Sequence, residues 1–172
     1  MGKFIVEIQR FERERIELIS ATKKAVATRR ESPAKWEEWE RAAKRYHAHR
    51  SPIDQLFSLS FRGSTAAPST DLRMFMFDYI AVDPYFHRSG YIMERILRKV
   101  KRLTLSEQEQ SLLENLLLNR IRNRGLRNFR DVCQAARKIR SRRLQTMVEE
   151  LSRSGDDHVR ARANFALPYL VC

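Results

Sequence analysis

The chain has little glycine and little proline, five of each in 172 residues. An all-β chain draws on both residues at its many reversals, so their scarcity favours long helices and short connections. Cysteine is scarcer still: Cys133 and Cys172 are the only two, with no Cys-x-x-Cys pair. That usage argues against a disulfide framework or a zinc ribbon and fits a reducing compartment, so the expected location is the cytoplasm. No apolar run approaches the roughly 18–20 residues of a membrane span, and the expectation is no membrane partner. The opening stretch reaches Glu7 before a signal-peptide core can form. Val6 stands where myristoylation wants Ser or Thr, and Cys172 is last rather than fourth from the end.

Negative charge is the other shortage. Asp and Glu number 21 against 34 Lys and Arg, a net charge of +13, and 26 of the bases are Arg. An excess of this size repels itself unless a polyanion or an acidic partner neutralises it. Arg presents a planar fork of donors that matches phosphate oxygens in pairs. Apolar residues still make up 42% of the chain, enough for a hydrophobic core.

Periodicity predicts an all-α protein of seven or eight helices. Phe4, Ile8, Phe11, Leu18 and Ala25 share one stripe of a first helix over residues 3–30. Ser32 and Pro33 read as an N-cap followed by Pro at the first helical position. The helix after them puts Trp36, Trp39, Ala43 and Tyr46 on one face and stops at Pro52; residues 53–61 form a short third element. Residues 63–70, rich in Gly, Ser, Thr, Ala and Pro, predict a linker between an N-terminal helical lobe (1–62) and a C-terminal lobe (71–172). Residues 72–82 are so densely apolar that strand and helix are hard to separate; helix is preferred, with Thr70 or Asp71 as its cap. Further helices are expected over 89–103, from Thr104 or Ser106 to Gly125, over 126–142 and 144–153, and over 159–167 with Pro168 disrupting the end.

Charge is concentrated rather than spread. Residues 1–50 carry +5, residues 51–90 carry −1 and residues 91–172 carry +9. The window from 119 to 143 holds ten bases and one acid, Asp131. At 100° per residue, Phe129, Val132, Ala136 and Ile139 fall on one side of the predicted helix, with Arg127, Arg130, Arg137 and Lys138 opposite and Gln134 and Ser141 between. A row of guanidinium groups with one acid among ten bases is not laced by its own ion pairs. It suits a phosphate backbone, which asks for charge along a track and no base reading. The RNA-binding residues expected are Arg120, Arg122, Arg124, Arg127, Arg130, Arg137, Lys138, Arg140 and Arg142.

Catalytic patterns are not legible, and no enzyme, cofactor or metal site is expected. His47 and His49 point about 200° apart on a helix and share no metal. Residues 79–90, ending Tyr-Phe-His-Arg-Ser-Gly, are similar to the strand, loop and helix start of acetyl-CoA-dependent N-acetyltransferases, where backbone N–H groups hold a pyrophosphate. Ile92 stands where that family wants a second small residue. Residues 156–160 with Ala163, Ala166 and Leu167 are similar to the inner helix of a HEAT repeat.

Leu113, Leu116-Leu117, Gly125-Leu126, Val132, Arg137-Lys138-Ile139, Ser141, Leu144 and Glu150-Leu151 carry a further likeness. Their spacing resembles the RNA-silencing suppressors of closteroviruses over residues 112–172. The resemblance implies an all-helical viral protein of the host cytoplasm. Such proteins bind short RNA duplexes without sequence preference, as ring-shaped homo-oligomers, and so deny guide RNAs to host silencing. The chemistry agrees, because duplex RNA hides its base edges and is met through phosphates, 2′-hydroxyls and shape. In such an oligomer the apolar stripe of Phe4, Phe11, Trp36 and Trp39 would join neighbouring subunits. Two other functions fit the same composition: an adaptor whose basic face docks on an acidic protein, and the acetyltransferase.

Overall fold

The computed structural model describes residues 2–61, 68–123, 128–139 and 141–170. Among them are nine helices and no strand: α1 (Ile5–Thr28), α2 (Pro33–Ala48), α3 (Asp54–Phe61), α4 (Thr70–Val82), α5 (Ser89–Val100), α6 (Glu107–Asn123), α7 (Phe129–Ala136), α8 (Arg142–Leu151) and α9 (Asp157–Leu170). The all-α expectation therefore holds, including for the dense segment before Val82.

Helix α4 is the axis of the bundle. Leu72, Phe75, Met76, Phe77, Tyr79 and Ile80 are all buried, and α1, α3, α5 and α6 pack around them. A helix that is apolar on every side belongs in the middle, which is why its sequence shows no clean stripe. Its cap is Ser69, whose hydroxyl accepts the Leu72 N–H at 3.3 Å, one residue before the expected position. Phe4, Phe11, Phe57, Phe75, Tyr79 and Phe86 form a chain of ring contacts with centroids 5.0–6.1 Å apart. Edge-on pairs at such spacing place the positive ring edge on the neighbour's negative face.

Phe4, Ile8, Phe11, Ile53 and Phe57 thus belong to the same hydrophobic cluster as the buried residues of α4–α9. The stripe expected to join subunits is already spent inside the monomer at Phe4 and Phe11. Only the outer part of α1 and the whole of α2 stand off the core, since α2 packs on α1 alone and buries none of its residues fully. This hairpin is held by local contacts. Ser32 caps α2 by accepting the Lys35 N–H, with Pro33 at the first helical position as expected. Arg15 lies over the Tyr46 ring at 4.3 Å and donates to its hydroxyl, and His49 meets Glu14 at 2.9 Å. Of the linker expected over 63–70, residues 63–67 lie outside the described residues and Thr70 already begins α4.

The start of α6 is a reciprocal cap. Ser106 Oγ accepts the Glu109 N–H at 3.4 Å while Glu109 Oε2 accepts the Ser106 N–H at 2.7 Å. The same buried carboxylate takes the Arg73 guanidinium of α4 with both oxygens, each at 2.7 Å. Burial alone would push the Glu109 carboxyl up, but Arg73 and the Ser106 N–H outweigh it and hold the group below the ordinary carboxylate range. A carboxyl depressed in the folded state adds stability that is complete above its unfolded pKa near 4.5 and is lost as pH falls through the folded value. Glu109→Gln should therefore cost about 2–3 kcal/mol at pH 7, a fall in Tm of roughly 5–10 °C. Thermal melts across pH should show the gap between wild type and variant narrowing below pH 4.5. A gap that stays constant to pH 3 would remove the charge from the explanation.

The C-terminal third departs from the sequence reading at one joint. The helix expected over 126–142 is shorter: α7 ends at Ala136, the chain tightens through i→i−3 bonds at Lys138 and Ile139, and Ser141 opens α8 by capping Leu144. Ile139 is buried after this tighter turn, on the apolar side where the continuous helix also placed it. Helix α9 runs through Pro168 to Leu170, so the proline sits inside the helix and not past its end.

Candidate nucleic-acid interface

The basic window spans the end of α6, all of α7 and the start of α8. On α7 the apolar residues Phe129, Val132, Cys133, Ala135 and Ala136 are buried, which leaves Arg130 outside and, past the helix end, Arg137 and Lys138. Arg122 at the end of α6 and Arg142 and Arg143 at the start of α8 are exposed as well. Among the described residues, none of these six cations has a carboxylate within ion-pair distance. The reason is visible at Asp131, the single acid of the window. It turns to Lys101 of α5 at 3.8 Å, and so it neutralises a base from outside the window.

Arg120 does not belong to this surface. It is 4% exposed and its guanidinium meets the buried Asp83 carboxylate at 2.5 Å, beneath the C-terminal end of α4. Its role is internal, because a carboxylate at that depth needs a cation within hydrogen-bond reach. Gln134 and Ser141 are also occupied: Gln134 accepts from Lys101, and Ser141 is the α8 cap. Both are thus engaged within the fold rather than left between the two faces of one continuous helix. Arg124, Arg127 and Arg140 lie outside the described residues.

Second contacts fix the platform that carries the exposed cations. Phe129 of α7 meets Phe165 of α9 at 5.6 Å, and Phe165 meets Tyr169 at 5.8 Å. Arg162 of α9 donates to the Ile121 carbonyl at 2.7 Å and to that of Arg122 at 3.4 Å, satisfying acceptors at the end of α6. Asn128 holds a left-handed backbone at the start of α7, and its amide donates to the Gly90 carbonyl of α5 at 3.1 Å. Nothing in the sequence spacing flagged Arg162 or Asn128, because their partners are carbonyls about 40 positions away.

The features that suggested catalysis resolve differently. Tyr79 to Val82 is the last turn of α4 rather than a strand, and its backbone N–H groups are inside a helix. The strand that an N-acetyltransferase places before its pyrophosphate loop is therefore absent at residues 79–82. Cys133 is buried, and burial pushes its thiol up to about 12, which removes the thiolate needed of a nucleophile. Asp156, the start of the repeat-like stretch, accepts the N–H groups of Val159 and His158 and caps α9; these bonds hold its carboxyl below the usual range. No helix among the described residues is long and apolar enough to cross a membrane.

Compared with known proteins, the chain matches no family model, no curated protein and no solved structure. Among the described residues, its fold and surface define an all-α protein with exposed cations at the end of α6, on and just past α7 and at the start of α8 that no described carboxylate meets.

The division between internal and external arginines is directly testable. Arg120→Ala leaves Asp83 without its 2.5 Å partner and should cost about 3–5 kcal/mol. A strip variant with Arg130, Arg137 and Arg142 all changed to Glu should melt within a few degrees of the wild type. Chemical denaturation of both decides it: equal stabilities would make Arg120 a surface residue in solution.

Proposed function

We propose that this protein binds short RNA duplexes without sequence preference, through the phosphates, and acts as a viral suppressor of host RNA silencing. The observation that carries the reading is the set of exposed cations on α6, α7 and α8 that no described carboxylate neutralises. Six positive side chains without an ion-pair partner among the described residues suit a polyanion with closely spaced charges, which asks for no base reading. The suppressor role rests on the resemblance over residues 112–172, and the duplex preference on the way A-form RNA presents its backbone.

The test is a titration of labelled RNA duplex at two salt concentrations, with single-stranded RNA and duplex DNA beside it. If four or five phosphates are neutralised, log K should fall against log salt with a slope of roughly −4. The Arg130, Arg137 and Arg142 triple change to Glu should weaken binding at least a hundredfold, and each single change to Ala much less. Full affinity in the folded triple variant would move the site elsewhere. Salt-indifferent or absent binding would leave the strip as a docking face for an acidic protein, the adaptor reading.

The reading includes a homo-oligomer. With Phe4 and Phe11 in the core, the outer hairpin still offers apolar side chains for joining copies, Trp36 at 45% exposure and Val26 on the neighbouring helix. Light scattering at micromolar concentration should give a multiple of 20.4 kDa, reduced by Trp36→Glu. A monomer at that concentration removes the ring from the proposal.

A further inference from the structure

A cleft of about 760 Å³ separates α1 from the connection between α4 and α5. Ile16 and Lys23 line it from α1; His87, Arg88 and Tyr91 line it from the other side, and Asn128 stands at the start of α7. A second hollow of about 780 Å³ lies across the same connection and shares His87, Arg88 and Tyr91 with it. The tyrosine ring therefore stands between two open spaces, 67% exposed, with Tyr85 nearby at 65%. Large aromatic side chains held in water on a wall between hollows have not been used by the core.

The charges of the cleft are one-sided. Glu94 is paired with Arg98 one turn along α5, and Glu12 of α1 accepts the Tyr85 N–H. Lys23 and Arg88 have no such partner among the described residues. Arg88 also holds a left-handed backbone, φ +69°, where a non-glycine residue is strained. It stands just before α5 and lines both hollows. An exposed flat ring and two cations lining one cleft match the two halves of a nucleotide: a base that stacks and a phosphate that pairs.

We propose that this cleft takes an unpaired nucleotide of an RNA strand, its base laid against Tyr91 and its phosphate between Arg88 and Lys23. The source of the strand rests on the function proposed above. Asn128 ties the floor of the cleft to α7 through Gly90, and Arg130 stands two residues further along that helix. A strand leaving a duplex on the cationic strip thus has an aromatic cleft beside it, so the site favours duplexes with single-stranded ends.

The experiment compares two labelled RNA duplexes with the same paired region, one blunt and one with two-nucleotide overhangs, by fluorescence polarisation. Wild-type protein should bind the overhanging duplex about tenfold tighter, within the range that stacking of one base supplies. Tyr91→Ala and Arg88→Gly, the latter suited to the positive φ, should lose that advantage and bind the blunt duplex as before. Equal affinities for the two duplexes, or an advantage that survives Tyr91→Ala in a folded variant, overturns the cleft. Should no duplex bind at all, the duplex reading fails and the cleft is judged by calorimetry with a six-nucleotide single strand and with adenosine monophosphate. Strand binding that Tyr91→Ala abolishes supports it; no strand binding, or binding of the mononucleotide alone, overturns it.

Discussion

Helix α4 is surrounded by α1, α3, α5 and α6, and every polar group it carries inward must find a partner there. Asp78 accepts the N–H groups of Gly2 and Phe4 and so clamps the run-in to α1. The Tyr79 hydroxyl donates to the Ser89 carbonyl at the start of α5. Arg73 takes the Glu109 carboxylate at the start of α6, and Asp83, just past the helix end, takes Arg120 near the end of α6. These bonds give direction to packing that apolar contact alone would leave loosely specified. Burial supplies most of the free energy, and the polar contacts decide where along α4 each neighbour starts.

That arrangement also explains which bases remain available. Arg73 and Arg120 answer buried carboxylates, Arg162 answers carbonyls at the end of α6, and Arg15 is stacked on Tyr46. The interior thus selects among 26 arginines that composition treats as equivalent. The ones it leaves on α6, α7 and α8 repel one another, and such repulsion destabilises the compact state. A polyanion that relieved it would bind the folded chain in preference to the unfolded one and stabilise the fold by mass action.

Much of the fold was legible where its cause is local. Ser32-Pro33 announces α2, the Ser106 to Glu109 spacing announces α6, and both act within one turn. The joint after Ala136 was not legible, because no glycine or proline marks it and Ile139 is buried on the same side that a continuous helix would give it. The candidate site was legible by half for the same reason. A helical wheel separates Phe129 and Val132 from Arg130 correctly, since it needs only the 3.6-residue period. It has no means of knowing that Arg120 faces an aspartate 37 positions away, or that Asp131 turns to α5.

The cationic strip lies on well-anchored helices, and this bears on how it recognises anything. Helix α7 has only eight residues, too few to stand alone in water. It is fixed by Phe129 against Phe165, by Asn128 to Gly90, and by Gln134 and Asp131 to Lys101. Binding through side chains on such a platform spends little free energy on ordering backbone. The backbone positions from which the cations project are then set by the protein before a ligand arrives, and charges fixed at their roots favour polyanions whose phosphates lie within their reach. A flexible basic tail of the same charge adapts to each polyanion and loses that discrimination. On the function proposed above, selectivity for one helical form over another, without base contacts, would follow from the packing under α7 as much as from the arginines above it.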